Sequence, residues 1–277
     1  MEKVLITGGA GYIGQNIVDK LVANDFHVIV VDVNENAEMM LLKKYGREKI
    51  TVANTSIIDK CLFGDVFKKY TPDYVIHAAA HKHVSLVEAN PKEAINNNII
   101  GTINVFSLCI EYKVKKCLYI STDKADNPES VYGYTKKAGE VLIDSYKNLS
   151  NTEFMAVRFC NVLDAPGSVT QIFRNQLENN LPLTVTDFRM ERYFITVSQA
   201  VDFVYKVLFK VGTTGHVYML DIGKQTNIYE LAKQLRAEAH KEDLPIIETG
   251  ILPGERLTEP YSIGQQTCVL DNIYLVK

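Results

Sequence analysis

Apolar positions along the first part of the chain come in runs rather than alternating. KVLITG (3–8), HVIVVDV (27–33), YVIHAAA (74–80), KCLYIST (116–122) and FMAVRFC (154–160) are nearly continuous. Runs of this kind predict strands buried on both faces. Helical patterning lies between them, near 12–24, 92–112 and 132–149. Strand and helix in alternation predict an α/β chain with a doubly wound parallel sheet. Ile95, Ile99 and Ile103 serve either a docking face or the sheet, and the sheet is the favoured reading.

After Asn161 the texture changes. Short strands, prolines at 166, 182, 245 and 253, and helices near 168–180 and 226–240 predict a smaller lobe. FITVSQAVDFVYKVLF (194–209) reads as a return to the main sheet with one more helix. The expected division is a cofactor domain over 1–161, rejoined by 192–222, and a substrate-binding lobe that takes most of 162–277.

Composition narrows the class. Of 277 residues, 47% are apolar, enough for a full core, and the net charge of −3 gives no basic field for nucleic acid. The basic run KKYGREK (43–49) reads as a solvated helix end. The five cysteines are odd in number and include no C-x-x-C pair, which argues against disulfides and zinc and for a reducing cytoplasm. MEKVLITGG enters a strand at once, so no secretory leader is expected. No apolar run approaches the roughly 20 residues that span a bilayer. The expectation is a soluble cytoplasmic protein without membrane contact.

The stretch ITGGAGYIGQNIV (6–18) follows the first strand and opens the first helix. Gly9, Gly11 and Gly14 fit G-x-G-x-x-G, and Gly8, Gly11 and Gly14 fit the wider G-x-x-G-x-x-G. Glycines let backbone approach a pyrophosphate, and the helix start, with Tyr12 and Ile13, offers free N–H groups. Asp32 ends the second strand, where an acid accepts hydrogen bonds from an adenosine ribose and repels a 2′-phosphate. Together these predict a Rossmann-type sheet that binds NAD in preference to NADP. The small residues Ala78 and Ala79 end another strand, where backbone can lie against a cofactor. Asn98 belongs on a helix passing beneath that edge. His77, His81 and His83 match no zinc spacing, and no metal is expected.

Within STDKADNPESVYGYTKKAGE (121–140), Tyr132 and Lys136 stand at i and i+4, on one helix face. A phenol ordinarily titrates near pH ~10, and an adjacent ammonium lowers that value. Tyr132 is therefore a candidate base, with Lys136 lowering its pKa and holding a ribose hydroxyl. Thr122 supplies a hydroxyl to the reacting oxygen. Tyr134 has Ala138 in place of such a lysine. An exposed helix pair gives the same spacing; the dinucleotide loop upstream and the Ser-Thr strand end are what make it specific.

ITGGAGYIG, HAAAHKHVSLVEANPKEAINNNIIGT, YISTDKADNP, VYGYTKKAGE, RFCNVLDAPGSV, TDFRMERYFIT and LPGERLTE together resemble an extended short-chain dehydrogenase/reductase. They are most similar to the polysaccharide-biosynthesis group of UDP-N-acetylglucosamine 4,6-dehydratases, and the likeness runs nearly end to end. It implies a UDP-sugar substrate, transient reduction of NAD and a 4-keto-6-deoxy product. It implies Lys124 as the base at C5 and Asp123 as the acid at C6, which requires a lowered pKa for Lys124 and a raised one for Asp123. It further implies substrate contacts from Lys82, Asn161, Arg192, Arg256 and Glu259, with Arg192 a candidate diphosphate ligand. A homo-oligomer, dimer or hexamer, docked through helices 92–112 and 132–149, is implied as well.

Departures from the group pattern are Leu252, where an Arg is usual before Pro-Gly-Glu, Cys160 in place of Gly, and Asp164-Ala165 in place of a Gly-Ser pair. Tyr132 points to inversion at C5, while Asp32 leans to NAD where inverting members use NADP. Two other readings remain: a UDP-sugar 4-epimerase or 4-ketoreductase on the same scaffold, and a dinucleotide-sensing protein without turnover.

Overall fold

The structure is a computed structural model and describes residues 1–260 and 267–276. Its main sheet has nine strands: β1 Lys3–Thr7, β2 His27–Asp32, β3 Ile50–Asn54, β4 Tyr74–His77, β5 Lys116–Thr122, β6 Glu153–Phe159, β7 His216–Leu220, β8 Thr267–Leu270 and β9 Ile273–Val276. Their spatial order is β8-β9-β7-β6-β5-β4-β1-β2-β3. The first seven run parallel, and β8 and β9 close one edge antiparallel. The order reverses between β1 and β4, with Thr7 opposite His77 at the last register position. In open α/β sheets, ligands bind beyond the strand ends at such a reversal.

Two apolar layers cover the sheet. Helices Tyr12–Ala23 and Val197–Lys206 pack on one face through Ile17, Val18, Leu21, Val201 and Val204. Helices Lys60–Tyr70, Gly101–Glu111 and Val131–Tyr146 cover the other through Phe63, Phe67, Val105, Phe106 and Ile143. A separate small core, with Phe173, Leu177, Leu183, Val185, Ile228 and Ala232, joins helices Val169–Glu178 and Ile228–Glu238 to the short parallel strands Leu183–Val185 and Ile246–Glu248.

Several elements differ from the pattern reading. Helices Glu35–Tyr45 and Lys60–Tyr70 and strand β3 were not singled out, because their apolar positions are sparse and interrupted by charge. The run YVIHAAA stops being strand at His77. Beyond it Ala78 N still bonds Thr7 O, and Ala79 N bonds the Thr7 hydroxyl, so the segment peels away over β1. The favoured placement of Ile95, Ile99 and Ile103 on the sheet is corrected: Ile95 is 44% exposed and the other two are half-buried. Ala94, Asn98, Thr102 and Val105 face inward instead. A π-helical turn at Asn96–Ile100 lies inside this stretch and shifts the face that the α-helical period predicts. The end of the chain, grouped by sequence with the second lobe, supplies β8 and β9 to the main sheet.

Candidate active site

The glycine loop is shaped by contacts that leave no room for a side chain. Gly8 has φ +67°, and a Cβ there would lie 2.8 Å from Ala79 N. A Cβ on Gly14 would collide with Gly8 O and stand 2.7 Å from Gly9 Cα. Helix Tyr12–Ala23 begins at Gly11 with no side-chain cap, so its first N–H groups stay open toward the cleft. Asp32 is tied to the same loop: one carboxylate oxygen accepts from Ala10 N at 3.0 Å, the other from Val33 N at 2.8 Å and Asn34 N at 3.0 Å.

The floor beside it is a buried polar chain. Thr7 Oγ1 and His77 Nδ1 are 2.7 Å apart, and His77 Nε2 and Thr102 Oγ1 are 2.9 Å apart. Thr102 donates to Asn98 O at 2.6 Å, so its oxygen accepts from Nε2–H, and Nδ1 accepts from Thr7. Burial, with the nearby Lys136 charge, pushes the His77 pKa down to about 3, which fits this neutral tautomer. Asn98 grips the His81 backbone on both sides: Oδ1 accepts from His81 N at 2.9 Å and Nδ2 donates to His81 O at 3.0 Å. The π-turn thus places an amide that fixes the loop after β4.

Helix Val131–Tyr146 docks its N-terminus on the loop after β5. Ser130 caps it by accepting from Gly133 N at 3.0 Å, and a Cβ at Gly133 would collide with Lys124 O. This close approach sets Tyr132 beside Thr122, Asp123 and Lys124. Further along, Glu140 holds the helix to the sheet, accepting from Arg158 Nε at 2.8 Å, Arg158 Nη2 at 2.9 Å and Ser121 Oγ at 2.7 Å.

A cleft of about 650 Å³ joins these parts. Among its lining residues are Gly8, Gly11, Tyr12, Ile13, Gly14, Asp32, Ala78, Ala79, Lys82, Thr122, Asp123, Lys124, Tyr132, Lys136 and Asn161. Thr55, Ser56 and Ile57, just beyond β3, also line it and were not singled out from sequence. Their signal was position alone, at the carboxyl end of a strand the pattern reading had not named. Lys82 reaches across and donates to Pro166 O at 3.1 Å, and Asn161 Nδ2 donates to Tyr193 O at 3.0 Å.

Arg192, Arg256 and Glu259 are not in the cleft lining. Arg192 donates to the carbonyls of Glu191, Leu257 and Arg256, at 2.8, 3.1 and 2.7 Å. Three of its five N–H groups are thus bonded to backbone carbonyls of its own chain. Arg256 bonds Asn127 O and pairs with Glu129 at 3.0 Å. Glu259 is 4% exposed and its Oε1 lies 3.1 Å from Lys124 Nζ.

The expected charge tuning is also revised. Tyr132, 9% exposed, is pushed up to about 12: burial raises it first, and Lys124 and Thr122 oppose. Lys136 lies instead against another ring. Its ammonium lies 4.2 Å from the centroid of the Tyr119 ring and has no hydrogen bond or ion pair among the described residues. Burial brings Lys136 down to about 7, against a small opposing pull from Glu140. Lys124 moves opposite to the expected direction. Burial lowers it, but the Asp123 carboxylate at 3.1 Å and Glu259 outweigh that and raise it above the ordinary lysine range. A helix start without a side-chain cap, a strand-end carboxylate and a buried amine with no hydrogen bond or ion pair among the described residues together fit a dinucleotide.

The family model described as polysaccharide biosynthesis protein matches residues 4–276. The capsular polysaccharide biosynthesis protein CapD of Staphylococcus aureus is 42% identical over 93% of this chain, which spans only 44% of CapD. The chain is thus less than half the length of that relative, and likewise of a second, EpsC of Bacillus subtilis. An inverting UDP-N-acetylglucosamine 4,6-dehydratase of Campylobacter jejuni is 35% identical over 93% of this chain and 76% of its own length. UDP-glucose 4-epimerases match at lower identity. Among solved structures, Pen from Bacillus thuringiensis superposes with a TM-score of 0.92 at 33% identity, covering 99% of this chain and 88% of Pen. With the glycine loop, the Thr-Asp-Lys turn and the Tyr132 helix on one cleft, the chain belongs to the polysaccharide biosynthesis protein family, which includes nucleotide-sugar dehydratases.

Proposed function

We propose that this chain is an NAD-dependent 4,6-dehydratase acting on UDP-N-acetylglucosamine. The observation that carries the reading is the run Thr122-Asp123-Lys124: a hydroxyl, a buried carboxylate and an amine in mutual contact beside Tyr132. Oxidising C4 requires a phenol and a hydroxyl. Eliminating water across C5 and C6 requires one more base and one more acid, and these residues supply them.

When bound, NAD supplies the acceptor for hydride from C4 and its donor to C6, and its nicotinamide charge favours the Tyr132 phenolate. The glycine loop and Asp32 hold the adenosine half, and Lys136 reaches the nicotinamide ribose. Asp32 favours NAD over NADP because a second negative group is repelled there. Thr122 hydrogen-bonds the C4 oxygen while Tyr132 takes its proton. The new ketone acidifies the C5 proton, which Lys124 removes, and Asp123 protonates the departing C6 hydroxyl. Lys124 must then be neutral and Asp123 protonated. One proton passed across their 3.1 Å contact creates both forms together. Lys82 and Asn161 face the sugar. Exposed Ile95, Tyr134 and Val141 on the two neighbouring helices support self-association into a dimer or a larger ring.

Incubation with UDP-N-acetylglucosamine and NAD, followed by mass spectrometry, tests the reading. The expected product is lighter by one water. Unchanged mass with this and other UDP- or dTDP-sugars sinks it. A 4-epimerase or 4-ketoreductase is the second reading, supported by the epimerase relatives. Lys124→Ala separates the two, because only dehydration needs a base at C5.

A further inference from the structure

Lys124 is held from two sides. Asp123, its chain neighbour, approaches within 3.1 Å, and Glu259, from the far end of the chain, approaches within the same 3.1 Å. Both carboxylates are buried, and each keeps one oxygen, Asp123 Oδ2 and Glu259 Oε2, with no hydrogen-bond partner among the described residues. A buried carboxylate on a distant segment is expensive unless its charge is used.

The segment carrying Glu259 is itself fixed. Leu257 O accepts from Glu191 N at 2.8 Å and from Arg192, Arg256 O accepts from Arg192, and the Arg256 side chain reaches Asn127 and Glu129 beyond the catalytic turn. Arg192 Nε lies 3.8 Å from the same Glu259 oxygen that Lys124 meets. The strap is thus anchored on both sides of Lys124, and Glu259 is the side chain it delivers.

We propose that Glu259 is a positioning residue for the elimination step: from the C-terminal strap, its carboxylate fixes the Lys124 amine beside Asp123. This rests on the dehydratase reading. The groups facing Lys124 are Asp123, Glu259, Arg192, Tyr132 and Cys160. Two of them are acids that favour its charged form, so Glu259 holds the resting amine protonated. Removing that negative charge lowers the pH at which Lys124 becomes a free base. The motif implies a nucleotide contact for Glu259, and the structure adds its contact with Lys124.

The test is Glu259→Gln, with Glu259→Asp as the charge-conserving control. For dehydration, the alkaline limb of the kcat profile, where the Asp123–Lys124 pair loses the proton it shares, should move to lower pH by about one unit or more in the Gln variant. Its kcat should fall at least tenfold with KM within about twofold. The Asp variant should keep the wild-type limb. An unmoved limb in Glu259→Gln, or a loss seen only in KM, overturns the proposal. A second measurement needs neither turnover nor a variant at 259. In reductively 13C-methylated wild-type protein, the Lys124 signal, assigned by its loss in Lys124→Arg, should titrate above the lysines that have no carboxylate neighbour. Titration below them overturns the proposal even if the variants do not fold. Absence of a dehydrated product from wild type sinks the dehydratase reading but leaves this titration readable.

Discussion

The turn after β5 and the helix Val131–Tyr146 each place a lysine in the same cleft, and their surroundings drive the two apart. Lys124 sits between two carboxylates and is raised above the ordinary lysine range, although burial opposes this. Lys136 rests against the Tyr119 ring, which itself fills the space left by Gly139, and burial brings the lysine down to about 7. Desolvation acts on both; the presence or absence of a fixed counter-charge decides the sign. At the turn the amine has two fixed carboxylates beside it; on the helix it has an aromatic ring.

The largest effect expected from breaking this contrast is at Lys124. Lys124→Ala should reduce formation of dehydrated product by about 10²–10⁴-fold. Reduction of bound nicotinamide, followed by absorbance in a single turnover, should persist but slow, because Tyr132 and Thr122 remain while the Lys124 charge that opposes the rise of Tyr132 is lost. Loss of both signals would place Lys124 in hydride transfer or in folding instead.

Lys136→Met should stabilise the ligand-free protein by about 2–4 kcal/mol at neutral pH, read from urea unfolding. The sign follows from linkage. The folded pKa is near 7, below the unfolded lysine value, so the unfolded chain binds more protons between those values. Wild-type stability therefore rises with pH across that window, and the Met variant should lose this rise. The same variant should bind NAD more weakly by calorimetry. A variant that is less stable and shows an unchanged pH slope would mean Lys136 is a packing residue.

Gly14→Ala sharpens the comparison from the nucleotide end. Its methyl group would meet Gly8 O and the Gly9 backbone, which cannot rotate away. A cost of about 1–3 kcal/mol in thermal unfolding, with weakened NAD binding, is expected. An unchanged melt would show that the loop has slack. The smallest effect is at Asp32. Asp32→Asn should narrow the preference for NAD over NADP by about tenfold, the scale of one charge–charge interaction near water. Steady-state competition between the two cofactors reads it directly.

Much of this site was legible in local spacing. The glycine loop, Asp32 at a strand end, Asn98 on its helix and Tyr132 four residues before Lys136 all lie in the cleft or brace it, since backbone geometry over one turn or one strand end fixes such placements. Arg192 was less legible, because its chemistry suits phosphate and carbonyls equally well, and only the folded strap shows it bonded to three carbonyls. The directions assigned to Tyr132 and Lys124 were wrong for a related reason. Spacing identifies a neighbour along the helix, whereas titration responds to every group packed around a side chain.

By itself the sequence determined the doubly wound sheet, the glycine loop and the grouping of Thr122, Asp123 and Lys124 with Tyr132, because these follow from hydrophobic period and short-range backbone constraints. Tertiary structure alone decided that Glu259 reaches Lys124, that Lys136 lies on an aromatic ring, and that the last two strands complete the main sheet. Those facts depend on which distant surfaces bury one another, and burial sets the electrostatics of a site.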